Sequence, residues 1–116
     1  MLDMAYIRAN VPRTELLAGL AEEAAELAQA ALKYRRTLDG TNPARVGWEE
    51  AWMAMLKELA DVELQLEALG IPDDEQAMRS IHGTVREKTK RWREHLEKGR
   101  DRNGVSGRET AASAGE

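Results

Sequence analysis

Three carboxylates fall within five positions of one helix-forming stretch: LAEEAAELA, residues 20–28, carries Glu22, Glu23 and Glu26. A second stretch, KELADVELQLEAL at 57–69, repeats the three-residue step with Glu58 and Asp61. Residues three apart on a helix are neighbours on adjacent turns, so each pair forms an acidic strip. Two such carboxylates repel each other, and any that borders a buried face loses hydration; a cation offsets both costs. Four carboxylates without histidine make a hard-oxygen set, suited to Mg2+ or Mn2+ rather than Zn2+. The plain alternative is a solvated face. Charged residues are 33% of the chain, so a single pair of this spacing arises easily, and Glu63, Glu67 and Glu75 are expected to be ordinary surface acids. Two pairs on consecutive helices, each beside an apolar stripe, carry more information than either alone.

The elements that must hold these acids are all helical. Helix formers dominate, β-branched runs are missing, and the three prolines sit at boundaries. A short helix is expected over 2–8, ended by Asn10-Val11-Pro12. A second spans about 14–36, with Leu16, Leu20, Ala24, Leu27 and Ala31 at three-or-four spacing. LDGTNPARVG at 38–47 is turn chemistry. A third helix covers about 48–69, with the stripe Trp48, Trp52, Met55, Leu59, Val62, Leu66 and Leu69. Gly70-Ile71-Pro72 closes it, and Asp73 with Gln76 resembles a capping box for a fourth helix. That helix carries Met78, Ile81, Val85, Trp92 and Leu96, with Lys88 where the stripe asks for an apolar residue. The chain is therefore expected to be all-α, a four-helix-bundle subunit over 1–98, followed by a disordered tail over 99–116.

Helical geometry sorts the acids. Measured from Leu20, Glu23 lies roughly 60° away, Glu26 roughly 120° and Glu22 roughly 160°. Glu22 is thus the solvated acid, while Glu23 borders the buried face. Measured from Leu59, Glu58 lies roughly 100° and Asp61 roughly 160° round on the same side, with Gln65 a turn beyond. If the second and third helices pack antiparallel, the two pairs face each other.

Composition narrows the remaining classes. A net charge of -4 with 42% hydrophobic residues argues for a globular protein and against generic nucleic-acid binding. The absence of cysteine excludes disulfides, thiolate metal sites and cysteine nucleophiles. No apolar run approaches membrane-span length, and MLDMAYIRAN lacks a signal-peptide pattern. A cytoplasmic location is expected.

The acids and their surroundings resemble a known family. E-E-A-A-E-L (22–27) followed by E-L-A-D-V (58–62) is similar to the E-x-x-E and E-x-x-D signature of the MazG-like all-α nucleoside triphosphate pyrophosphohydrolases, of the short single-domain type. The order of long helix, loop with Asn42-Pro43, long helix and basic last helix is similar too, over about 16–96. The resemblance implies hydrolysis of a nucleoside or deoxynucleoside triphosphate to the monophosphate and pyrophosphate, in nucleotide-pool sanitation or dNTP-pool control. A purine dNTP such as dGTP is one substrate seen among phage members. Mg2+, for which Mn2+ would substitute, is then held by Glu23, Glu26, Glu58 and Asp61. Glu26, further from the buried stripe than Glu23, is the expected acceptor of the attacking water's proton. The resemblance makes Lys88 and Arg91 candidate counterparts of the family's phosphate-binding residues, against the plain alternative that Lys88 snorkels and Arg91 joins the solvated run REKTKRWRE; Lys33 is a third, weaker candidate. Tyr6, Asn10, Asn42, Trp48 and Trp52 are candidates for base contacts, although the tryptophans' fit to the third helix's stripe favours a core or interface role for them. Glu63, near the middle of the third helix's stripe, departs from the family pattern and implies either a pairing across a subunit boundary or a rotated helix.

Three alternatives compete. A ferritin-like di-metal bundle wants Glu-x-x-His pairs, but Arg79 and Trp92 stand three positions before His82 and His95. A non-enzymatic helical interaction module would leave the acids solvated and show no metal dependence. Phosphoribosyl-ATP pyrophosphohydrolysis would keep the site and change the substrate. The long apolar stripes, more than one chain can cover, predict a homodimer or homotetramer.

Overall fold

The computed structural model describes residues 3–40 and 46–103, the side chains of 101–103 excepted. Four helices run through them and no strand is present among them: α1 (Met4–Asn10), α2 (Arg13–Asp39), α3 (Trp48–Ala68) and α4 (Glu75–Asn103). The chain divides into two compact units, Met1–Glu75 and Gln76–Glu116, a division that falls inside the span 1–98 expected as one domain. α1 to α3 belong to the first unit, and all of α4 but its first residue to the second.

Local chemistry sets the helix ends. The Asp3 side chain accepts from the Tyr6 N–H at the start of α1, and Pro12, which has no N–H to lose, precedes α2. α2 ends at Gly40, whose φ of 67° permits the left-handed cap and lets its N–H donate to the Arg36 carbonyl at 3.0 Å. α4 begins at Glu75, so the residue before it is Asp74 rather than the expected cap Asp73. The Asp73 carboxylate instead lies 3.8 Å from the Arg8 guanidinium. α4 also continues through Gly99 to Asn103, past the expected start of the tail. One glycine costs a helix only about 1 kcal/mol, and Lys98 and Arg100 suit a helix C-terminus. Residues 104–116 and the loop residues 41–45, Asn42 and Pro43 included, lie outside the described residues.

Within the first unit α2 and α3 pack antiparallel. Leu16 meets Ala68 and Leu69 at one end, Gly19 meets Gln65, and the Tyr34 and Trp52 rings lie 5.3 Å apart towards the other. The seam is rotated from the expected stripes. On α2 it runs through Leu16, Leu20, Glu23, Leu27, Ala30 and Tyr34, with Ala24 exposed. On α3, Ala51 and Ala68 are buried and Glu58 and Gln65 half-buried, whereas Trp48 and Trp52 remain 53% and 38% exposed and Leu59 is exposed. Small residues explain the choice. Ala51, Ala68 and Gly19 permit close approach of the two backbones, which tryptophan at the seam would prevent. The same rotation leaves Glu63 exposed, so the conflict expected at that position does not arise. The core is small: among the described residues the buried hydrophobic ones are Leu16, Ala51, Ala68 and Leu69. Met4, Ile7, Val11, Leu20 and Ile71 pack around the Leu16 end of it.

Candidate metal centre

Two turns from the Leu16 end, the rotated seam carries carboxylates instead of hydrocarbon. α2 presents Glu23 and Glu26, and α3 presents Glu58 across from them. One carboxylate oxygen of each residue lies within 4.8 Å of the others. Two oxygens on opposite sides of an octahedral Mg2+ are about 4.2 Å apart, so small side-chain rotations close this triangle on one ion. Glu23 and Glu58 are half-buried and Glu26 exposed, which gives the triangle a shielded side and an open one.

The shielded side is unsatisfied. Glu23 Oε1, Glu58 Oε1 and Gln65 Oε1 are closed off from solvent with no hydrogen-bond partner. A buried acceptor left unpaired costs on the order of 1–3 kcal/mol, more if charged, and native interiors avoid this unless something fills the gap. All three orphans are oxygens, as a hard cation requires. The electrostatics agree. Desolvation is the main cause that pushes the Glu23 carboxyl above the ordinary glutamate range; repulsion from Glu26, Asp61 and Glu58 and a hydrogen bond with Glu26 add to it. Without a cation, a proton is the charge that relieves the cluster.

Of the other residues singled out from sequence, Asp61 is near enough to act on Glu23 but lies outside the close triangle, its carboxylate 3.9 Å from Lys57. Lys33 is exposed and lines a groove of about 560 Å³ shared with Glu26 and Glu58. Lys88 and Arg91 are exposed on α4, in the second unit. Tyr6 is exposed, Asn10 Nδ2 donates to the Tyr6 carbonyl at 2.8 Å, and Trp52 packs on Tyr34. His82 and His95 are exposed on α4.

Two features went unread in the sequence. Gly19 leaves room for the Gln65 side chain: a Cβ there would stand 2.8 Å from Gln65 Oε1, so the amide would have to shift. Arg36, half-buried, lines the same groove as Lys33; its signal was the Lys-x-x-Arg step that follows Glu26 on one strip of α2. Compared with known proteins, the chain matches no family model, no curated protein and no solved structure.

Proposed function

We propose that the protein is a Mg2+-dependent pyrophosphohydrolase that converts a nucleoside or deoxynucleoside triphosphate to the monophosphate and pyrophosphate. The observation that carries this reading is the Glu23–Glu26–Glu58 triangle with its shielded, unpartnered oxygens. The open groove alongside is of a size that suits a small-molecule ligand. The likeness of E-E-A-A-E-L and E-L-A-D-V to the MazG-like signature points the same way.

When bound, Mg2+ supplies positive charge to the phosphate oxygens and lowers the pKa of water. The chain's own groups do the rest. Glu23 and Glu58, held on facing helices, would hold the ion from its shielded side, and Asp61, now 3.9 Å from Lys57, would be a further ligand. Glu26, the exposed member, accepts the proton of the attacking water. The water oxygen bonds to the α-phosphorus, the bond to the α–β bridging oxygen breaks, and its electron pair departs on pyrophosphate. Lys33, which lines the groove, is the cation assigned to the phosphates.

The subunit is of four-helix-bundle type and associates as a homodimer or homotetramer. Its exposed apolar side chains on α3, Trp48, Met53, Leu59 and Leu64, support that assembly. No described helix is long and apolar enough to cross a membrane, in keeping with a cytoplasmic role in nucleotide-pool sanitation or dNTP-pool control. The test is pyrophosphate release with Mg2+ across the common NTPs, dNTPs and phosphoribosyl-ATP. Release from at least one nucleotide, abolished by a chelator, is expected. No release from any of them would leave a helical interaction module as the better account.

A further inference from the structure

The groove beside the triangle is charged oppositely at its two ends. Glu26 and Glu58 stand at one end, Lys33 and Arg36 at the other, and Ala30 and Ala54 line it between them. The neighbouring basic residues are committed elsewhere: Arg35 Nε donates to the Asp39 carboxylate at 3.2 Å, and Lys57 lies 3.9 Å from Asp61. Lys33 and Arg36 have no acidic partner among the described residues. Arg36 is nevertheless half-buried, an arrangement that costs hydration unless an anion compensates.

We propose that Lys33 and Arg36 bind the pyrophosphate half of the substrate, with Arg36 the principal group, so that the polyphosphate lies along α2 from the carboxylates towards Arg36. This rests on the function proposed above. The geometry sets both direction and length. Along the helix axis Lys33 stands about 10 Å and Arg36 about 15 Å from Glu26. Side chains on a helix lean towards its N-terminus, which carries both cations back towards Glu26. A guanidinium presents a planar fork of donors that matches two phosphate oxygens at once. The last turn of α2 repels anions through its exposed carbonyls, so an anion held there depends on these two side chains. Charge developing on the pyrophosphate oxygen as the bridging bond breaks would meet Arg36 and Lys33 directly. The chain thereby assigns the pyrophosphate end of the substrate to α2 itself and leaves the opposite side of the carboxylates to the nucleoside.

The test is isothermal titration of the full chain, first with Mn2+ alone and then with inorganic pyrophosphate in saturating Mg2+. The wild type binds both. Arg36→Gln weakens pyrophosphate at least tenfold while its Mn2+ affinity stays within twofold; Lys33→Gln has a smaller effect in the same direction. Arg36→Lys, which keeps charge and loses the fork, falls between wild type and Arg36→Gln and covers the case in which Arg36→Gln fails to fold. Arg35→Gln leaves both affinities unchanged. Normal Mn2+ binding with pyrophosphate binding absent, or unaffected by both Arg36 variants, overturns the anion subsite alone. Failure of the wild type to bind Mn2+ overturns the metal site and the subsite together.

Discussion

The two stretches of the α2–α3 seam differ in how completely they satisfy themselves. At the Leu16 end the side chains and the helix-end carbonyls are answered from within. Leu16, Ala68 and Leu69 bury one another, and the carbonyls that the end of α3 leaves over are taken up by arginines. Arg8 donates to the Glu67 and Ala68 carbonyls at 2.6 and 3.0 Å, and Arg13 to that of Leu69 at 3.4 Å. Two turns on, the same pair of helices shields an oxygen of Glu23 and one of Glu58 and offers them nothing. Identical packing physics applies to both; on the function proposed above, one end holds the helices in register and the other keeps a place for a group from outside the chain.

That contrast can be broken from either side. The largest expected effect is on stability at the satisfied end: Leu16→Ala should cost about 2–4 kcal/mol, seen as a lower denaturation midpoint with metal dependence of activity intact. Next comes Glu58→Gln, expected to lower pyrophosphate release about 100-fold or more by removing a ligand. Its metal-free stability should be unchanged or higher, because one charge leaves a repelling cluster. If Glu58→Gln destabilised the protein as Leu16→Ala does, the acids would be part of the scaffold and the contrast would vanish. Arg8→Ala should cost about 1–2 kcal/mol through the lost carbonyl contacts, again with no change in metal affinity.

Smaller effects sharpen the boundary between the two stretches. Gly19→Ala improves helix propensity by about 1 kcal/mol but displaces the Gln65 amide, so stability should change little while Mn2+ affinity shifts. The pH dependence follows from Glu23. Its carboxyl is raised in the folded state, so the folded chain holds the proton more tightly than the unfolded one. The Glu23 contribution to metal-free stability is therefore fullest below the ordinary glutamate pKa of about 4.3 and is lost as pH rises through the folded value. Glu23→Gln should flatten that fall, and so should saturating Mg2+. Chemical denaturation across pH 4–8, with and without MgCl2, reads both.

The sequence exposed the contents of each helix better than its rotation. Helix ends announced themselves through Pro12, Gly40 and Gly70, and the acid pairs through their three-residue step. The facing sides of α2 and α3 were harder to find because apolar residues wrap much of α3. The hydropathy stripe selected Trp48, Trp52 and Leu59, whereas the packed seam was decided by small residues, Gly19, Ala51 and Ala68, that allow close approach without adding hydrophobicity. Glu23 thus sits at the seam rather than on its shoulder. Asp61 shows the reverse case: Lys57 four positions earlier is a local pairing that spacing alone makes visible, and it competes with the ligand role. Gln65 and Arg36 owe their places to a neighbouring helix or a groove, which periodicity does not encode.

The central claim is that the Glu23–Glu26–Glu58 triangle holds a divalent cation. Electron paramagnetic resonance of free Mn2+ during titration with the protein at neutral pH tests it directly. The account predicts saturable loss of the free-ion signal for the wild type and none for a Glu23→Gln/Glu58→Gln double variant that remains folded. A wild type that leaves the Mn2+ signal at its level in buffer would contradict it.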